Sequence, residues 1–252
     1  MSDNTRRFSN RVDDYVRYRP HYPKDIISYL QDNYRLTTGK HIADIGAGTG
    51  ISAQLFLEAG YMVTAIEPNK EMRDKCIELL GVYNNFKAID GTAEQTNLQD
   101  AAVEAIVCGQ AFHWFDRERC KPEFQRILRG DSLVILMWNE RSTRTPFEHE
   151  YEALIQKHAI SYRQVSHRNI DPHSIADFFS PAPMQWRAFP NYQVFDFEGL
   201  LGRLLSSSYI PARGTDGYDA MYDDLLHLFD KHQQSGTITI HYEARVYTAR
   251  MG

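Results

Sequence analysis

Two kinds of apolar pattern alternate along the first half of the chain. Short, nearly unbroken apolar runs stand at His41–Ile45, Met62–Ile66, Phe86–Ile89, Val103–Cys108 and Leu133–Trp138. Runs of that length between turn residues predict buried strands. Between them, apolar residues fall at helical spacing. Asp25–Tyr34 carries Ile26, Ile27 and Leu30 on one side; Thr49–Ala59 is stopped by Gly60; Asn69–Leu80 has Asn69 as its cap; Asp116–Leu128 ends near Gly130. Strands separated by helices of this length predict βαβ units and a parallel sheet. Such strands are covered on both faces, so Leu133-Val134-Ile135-Leu136 has no polar member. Asp44 interrupts the first run and needs a reason to be there.

The pattern changes after Asn139. Pro146–Ile160 reads as a helix and Ser161–Asp171 as polar and irregular. A further helix lies within Phe195–Ser208, and Tyr218–His232 is helical, with Met221, Leu225, Leu226 and Phe229 at apolar spacing. Thr237–Thr248 alternates, with Ile238, Ile240, Tyr242, Ala244 and Val246 on one face. That predicts a half-buried strand, antiparallel, near one edge of the sheet. The expected fold class is α/β: a doubly wound, mostly parallel sheet with a C-terminal antiparallel strand and a cap.

Between the first strand and its helix stands Asp44-Ile45-Gly46-Ala47-Gly48-Thr49-Gly50. Glycines there let the backbone turn sharply and approach a ligand without Cβ clashes. The ligand also meets the free N–H groups of a helix N-terminus. This is a nucleotide-type site at the carboxyl end of a parallel strand. Dinucleotide sites use GxGxxG, whereas the spacing here is GxGxG, with Ile51 where the third dinucleotide glycine belongs.

Composition narrows the class. The chain has 252 residues, 42% of them hydrophobic and 24% charged, which supports a full globular core. Its net charge of −5 argues against broad phosphate-driven binding, so no nucleic-acid partner is expected. No apolar stretch is long enough to span a membrane, and Met1–Arg11 is polar, so the expected location is cytoplasmic. Cys76, Cys108 and Cys120 are widely spaced and form neither a disulfide framework nor a zinc pattern. His227 and His232 lie five apart, a poor spacing for one helix face, so no metal is expected.

The segment His41–Gly50, HIADIGAGTG, resembles the first signature of the Rossmann-like S-adenosylmethionine-dependent methyltransferases. Gln110-Ala111-Phe112-His113-Trp114-Phe115 resembles a signature of the subgroup called methyltransferase type 11, which includes trans-aconitate-methyltransferase-like proteins. The segment Tyr15–Pro23 resembles that subgroup too. The resemblance implies a seven-stranded sheet in a single domain over 1–252. Its parts are an N-terminal lid (1–24), a cofactor-binding core (25–139), a cap holding the substrate (140–220) and a final helix and strand (221–252). The implied cofactor is S-adenosyl-L-methionine. Its expected contacts are Asp44, Gly46, Ala47, Gly48 and Gly50 in the Gly loop, then Glu67 on the ribose hydroxyls with Pro68 beside it. Met72, Asp90, Thr92, Ala93 and Glu94 are expected around the adenine. Tyr15, Arg19, Gln110 and Ala111 are expected along the methionine part, where Arg19 can pair with the carboxylate.

The expected reaction is methyl transfer to a small-molecule acceptor, with a carboxylate as one candidate. Tyr18, Trp114, Arg141, Arg144 and Tyr209 are candidate substrate residues, and Ser206 is a weaker one. Arg141 and Arg144 follow the fifth strand, where guanidinium groups can face the cleft or sit on a solvated helix start. His113 is a candidate general base, the alternative being a packed structural histidine. Two rival functions stay open: an NAD-dependent oxidoreductase, disfavoured by the missing third glycine, and a non-catalytic S-adenosylmethionine-binding protein.

Overall fold

The computed structural model of the chain describes residues 16–160 and 171–251. Helix α1 (Asp25–Tyr34) precedes β1 (His41–Ile45), α2 (Ile51–Glu58), β2 (Met62–Ile66), α3 (Lys70–Leu80) and β3 (Phe86–Ile89). Then come β4 (Val103–Gly109), α4 (Arg117–Ile127), β5 (Leu128–Arg141), α5 (Pro146–His158) and α6 (Pro172–Phe179). The described chain closes with β6 (Gln185–Phe195), α7 (Phe197–Leu205), α8 (Tyr218–His232) and β7 (Ile238–Met251). Helix starts follow local chemistry. Asn69 accepts the Met72 amide at 2.9 Å, Asp116 accepts the Arg119 amide, and Thr145 forms a capping box with Glu148 ahead of α5.

All seven strands form one sheet in the order β3-β2-β1-β4-β5-β7-β6. The pairings from β3 across to β5 are parallel, and β7 runs antiparallel to both β5 and β6. The expected fold class is therefore observed. Helices cover both faces, as parallel strands require. On one face, Ile26 and Leu30 of α1, Phe56 of α2 and Leu80 of α3 share a core with Ile42 and Val63. On the other, Phe124 of α4 and Phe178 of α6 pack with Ile106 and Val134.

A third core joins α5, α7 and α8 over one end of β6 and β7, through Tyr151, Leu204, Leu225, Phe195 and Ile240. The stretch after β5 thus divides its helices between two cores: α6 belongs to the sheet, while α5, α7 and α8 form the cap. Strand β5 runs well beyond the expected Leu133–Trp138, because β7 pairs with it from Ser132 to Arg141. The backbone ladder carries the polar residues Asn139 and Glu140, which the apolar pattern cannot show. Strand β6 lies at the sheet edge, with Pro190 inside it and Trp186, Tyr192 and Val194 exposed. An edge position is where a strand tolerates proline.

Candidate active site

The strand order reverses between β1 and β4, and the loops at the carboxyl ends of these strands diverge there. A cleft at that point is the expected ligand position in an open α/β sheet. The structure places a cavity of about 310 Å3 there. Its walls come from Arg19, Pro20 and Tyr22, from Gly46–Gly48 with Ile51 and Ser52, from Glu67–Asn69 with Met72, from Thr92–Glu94, and from Gly109–Ala111 with Trp114 and Phe115.

The floor is the loop after β1. Gly46, Gly48 and Gly50 all have positive φ, at 69°, 58° and 92°. A Cβ on Gly46 would stand 2.6 Å from the Ala111 Cβ, so only glycine lets the loop lie flat against the turn after β4. Gly48 has nothing within 4 Å of its Cβ position, so its backbone borders open space. Asp44 explains itself from below. Its Oδ2 accepts from the Ser52 hydroxyl at 2.7 Å, and it also accepts from the Ala53 backbone. It ties β1 to the first turn of α2. Burial pushes its carboxyl up to about 7 against the pull of those hydrogen bonds, and its Oδ1 has no partner among the described residues.

At the tip of β2, the buried Glu67 carboxylate bridges two loops. Its Oε2 accepts from the Gly48 amide and its Oε1 from the Asn69 amide, both at 2.8 Å. Burial raises its pKa, partly offset by those amides and by Arg73. Each oxygen retains a lone pair, so a pair of vicinal hydroxyls can still donate to it.

After β4, Gln110 takes a left-handed φ of 57°, and its amide donates to the Met137 carbonyl at 2.8 Å. A one-turn 3-10 helix over Phe112–Trp114 follows. Phe112 points into the core, edge-on to Phe178 at 4.7 Å, while Trp114 and Phe115 face the cavity.

Residues 18–22 cross the top as a strap fastened through its backbone. Gln193 Nε2 donates to the Tyr18 carbonyl at 3.2 Å, Asn139 Nδ2 to Pro20 at 3.2 Å, and Asn191 Nδ2 to His21 at 2.7 Å. Arg19 Nη2 donates to the Ser206 carbonyl at 2.8 Å, and the buried Tyr22 places its hydroxyl on the Met137 carbonyl at 3.3 Å.

Of the residues expected at the site, the structure gathers Arg19, Gly46, Ala47, Gly48, Glu67, Pro68, Met72, Thr92, Ala93, Glu94, Gln110, Ala111 and Trp114 on the walls. Several others lie off the walls. Asp44 lies beneath the loop. Gly50 faces α3, where a Cβ would strike Leu80 and Cys76. Asp90 is 71% exposed, pairs with Arg73 at 3.0 Å and is not among the wall residues. His113 is half-buried and off the cavity wall; desolvation lowers its pKa to about 4, and its Nδ1 has no partner among the described residues. Tyr18 packs its ring on Gly202.

The candidate substrate residues after β5 also lie off the wall. Arg144 is 80% exposed and pairs with Glu243, because β7 continues beside it. Arg141 pairs with Glu152 and stacks on Tyr151 inside the cap. Tyr209 is in the cap as well, close enough to Arg141, Arg19 and Arg203 to feel their charges. Tyr15 lies outside the described residues. The expectations missed Pro20, Tyr22, Ile51, Ser52, Asn69, Gly109 and Phe115. Most adjoin residues already singled out, so the signal was the motif and not the side chain.

Residues 43–136 match the family model of a methyltransferase domain. The chain carries a methyltransferase domain. An uncharacterized methyltransferase of Mycobacterium tuberculosis is 35% identical over 148 residues, 59% of this chain and 58% of that protein. The similarity thus spans little more than half the length of this relative. An uncharacterized methyltransferase of Schizosaccharomyces pombe is 22% identical over 97% of this chain and 96% of its own. Among solved structures, a protein from Anaeromyxobacter dehalogenans named as a type II methyltransferase superposes with a TM-score of 0.65 at 18% identity, covering 92% of this chain and 98% of that one. At that identity the likeness speaks for the fold. The methyltransferase domain holds the Gly loop, Glu67 and the turn after β4; the strap and the cap lie outside it. Among the described residues no helix is long and apolar enough to cross a membrane.

Proposed function

We propose that the methyltransferase domain binds S-adenosyl-L-methionine in this cavity and transfers its methyl group to a small-molecule acceptor. The observation that carries the reading is the Glu67 bridge to Gly48 at the floor of a cavity of about 310 Å3. That volume suits a nucleoside-sized ligand. The residues fit the group. Glu67 offers lone pairs to ribose hydroxyls, Gly48 leaves its backbone open, and Met72, Ala93 and Phe115 offer apolar surface to a base. Arg19 stands at the strap end, where a methionyl carboxylate fits a guanidinium.

Bound there, the cofactor supplies an activated methyl group on a sulfonium. The chain's own work is positioning and exclusion of water. The strap roofs the cavity, and Trp114 and Phe115 narrow it on the β4 side. His113 does not line the cavity, which supports a packing role for it over that of a base. The net charge of −5 supports a small acceptor over a nucleic acid.

Titration calorimetry with S-adenosylhomocysteine and NAD tests the cofactor. Tight binding of the first and none of the second is expected; the reverse order overturns the reading. A turnover assay with the labelled cofactor then separates an enzyme from a binding protein.

A further inference from the structure

Strand β6 reverses the usual arrangement of a sheet edge. Its register with β7 is unbroken from Gln185 to Phe195, so alternate side chains share a face. One row is Trp186, Ala188, Pro190, Tyr192 and Val194, and all five are exposed. Trp186 is 58% exposed, Tyr192 66% and Val194 53%. The other row buries Phe189 and Phe195 and sends Asn191 and Gln193 to the strap. The solvent row is thus the apolar one, and it carries no charge. Edge strands ordinarily place charges outward, which prevents association. Single exposed apolar residues are common, whereas a contiguous row marks an interaction site.

The edge of β6 is closed to strand addition. Pro190 has no amide hydrogen. The Tyr192 amide, two residues on and so on the same side of the backbone, already donates to Asn191 Oδ1 at 3.0 Å. A strand laid along β6 would lack both donors at its centre. What remains to recognise a partner is the row of side chains.

That row fits its own reverse. From Trp186 onward the sizes run large, small, proline, large, small. A two-fold axis through Pro190 sets Trp186 against Val194 and Ala188 against Tyr192, so each large side chain meets a small one. An isologous two-fold contact demands this self-complementarity. The flanking charges on β7 do not oppose it. Arg245 pairs with Glu140 at 2.8 Å and with Glu243 at 3.2 Å, and Arg144 pairs with Glu243, so the rim is electrically balanced. Trp186, Tyr192 and Val194 together offer roughly 350 Å2, taking a whole aromatic side chain at about 200 Å2. Two copies with their rims then bury about 1,000 Å2, the size of a small, reversible interface.

We propose that the exposed face of β6 is a homodimer contact, in which a second copy of this chain packs its own β6 row antiparallel across a two-fold axis at Pro190. The inference stands apart from the cofactor reading. The same strand fastens the strap through Asn191 and Gln193, so the contact backs the roof of each cavity from the far side of the sheet.

Sedimentation velocity of the full chain from about 1 to about 300 µM tests it, a span that brackets the affinity of a small interface. A shift from one-chain to two-chain mass with rising concentration is expected. Tyr192→Asp should weaken the dimer roughly tenfold or more, as loss of a central aromatic does. Ala188→Trp should weaken it too, although it adds apolar surface, because the partner's Tyr192 occupies that space. The exchange of Ala188→Tyr with Tyr192→Ala should restore it. Melting curves check that each variant folds, and Val194→Asp is read in place of Tyr192→Asp if that one does not. A single chain at every concentration, a dimer that Tyr192→Asp leaves intact, one that Ala188→Trp strengthens, or an exchange variant that stays monomeric would each overturn the proposal.

Discussion

Glu67 holds Gly48: a carboxylate at the tip of β2 accepts the amide of the loop after β1 at 2.8 Å. The same side chain fixes the loop and offers its remaining lone pairs to the cavity. Glu67→Gln keeps an acceptor for one amide and loses the charge. We expect it to weaken S-adenosylhomocysteine by about 1–3 kcal/mol, the range for hydrogen bonds to a charged group. Calorimetry reads the affinity and a melting curve checks the fold. Full affinity in the variant would remove Glu67 as the ribose partner.

Asp44 carries a pH signature. Its folded pKa of about 7 lies above the ordinary 3.8. The folded protein therefore keeps a proton that the unfolded chain releases, and this contribution is complete below about 3.8 and lost as pH rises to about 7. The full swing is roughly 4 kcal/mol at about 1.4 kcal/mol per pKa unit. Asp44→Asn cannot ionise, so urea unfolding between these pH values should lose that slope. Parallel curves for the two proteins would show Asp44 to titrate normally.

His113 runs the other way. Its folded pKa of about 4 lies below the ordinary 6.5, so the unfolded chain binds the proton first. Stability from neutral His113 is present above 6.5 and declines as pH falls to about 4, by roughly 3 kcal/mol in all. His113→Phe should flatten that limb. The same variant tests the packing role: kcat should change less than tenfold, against the ~100-fold or larger loss that removing a general base brings.

The strap predicts a separation of binding from folding. Removing residues before Asp25 also deletes Tyr22, which is buried on the Met137 carbonyl, so truncation harms the core as well as the site. Asn139→Ala is cleaner. It frees the Pro20 carbonyl, leaves the His21 carbonyl on Asn191 and keeps the strap's residues intact. We expect faster release of S-adenosylhomocysteine in stopped-flow displacement with a loss of stability near 1 kcal/mol, one hydrogen bond's worth. An unchanged release rate would reduce the strap to packing.

The sheet was legible because parallel strands are apolar throughout and their helices are capped by residues such as Asn69. The Gly loop and Glu67 were legible because backbone geometry there demands particular residues. Strand β6 was not, since an edge strand needs little apolar pattern and Pro190 argues against a strand at all. Which of its two expected places Arg144 takes was not legible, because β5 continues past the apolar run and brings it to Glu243. Arg203, buried in α7, left no mark in the sequence. An arginine within an otherwise apolar helix reads as its solvent face until the cap closes over it.

Strand β7 lies between β5 and β6, so β6 reaches the sheet only through a strand made after it. During synthesis the N-terminal parallel strands can pair as they emerge, while β5 keeps one edge of bare amides and carbonyls. A nascent chain halted before Ile238 therefore presents an open β5 edge and a loose β6, both competent to pair with a neighbouring chain. Completion of the sheet therefore waits on β7, the strand that pairs with both β5 and β6.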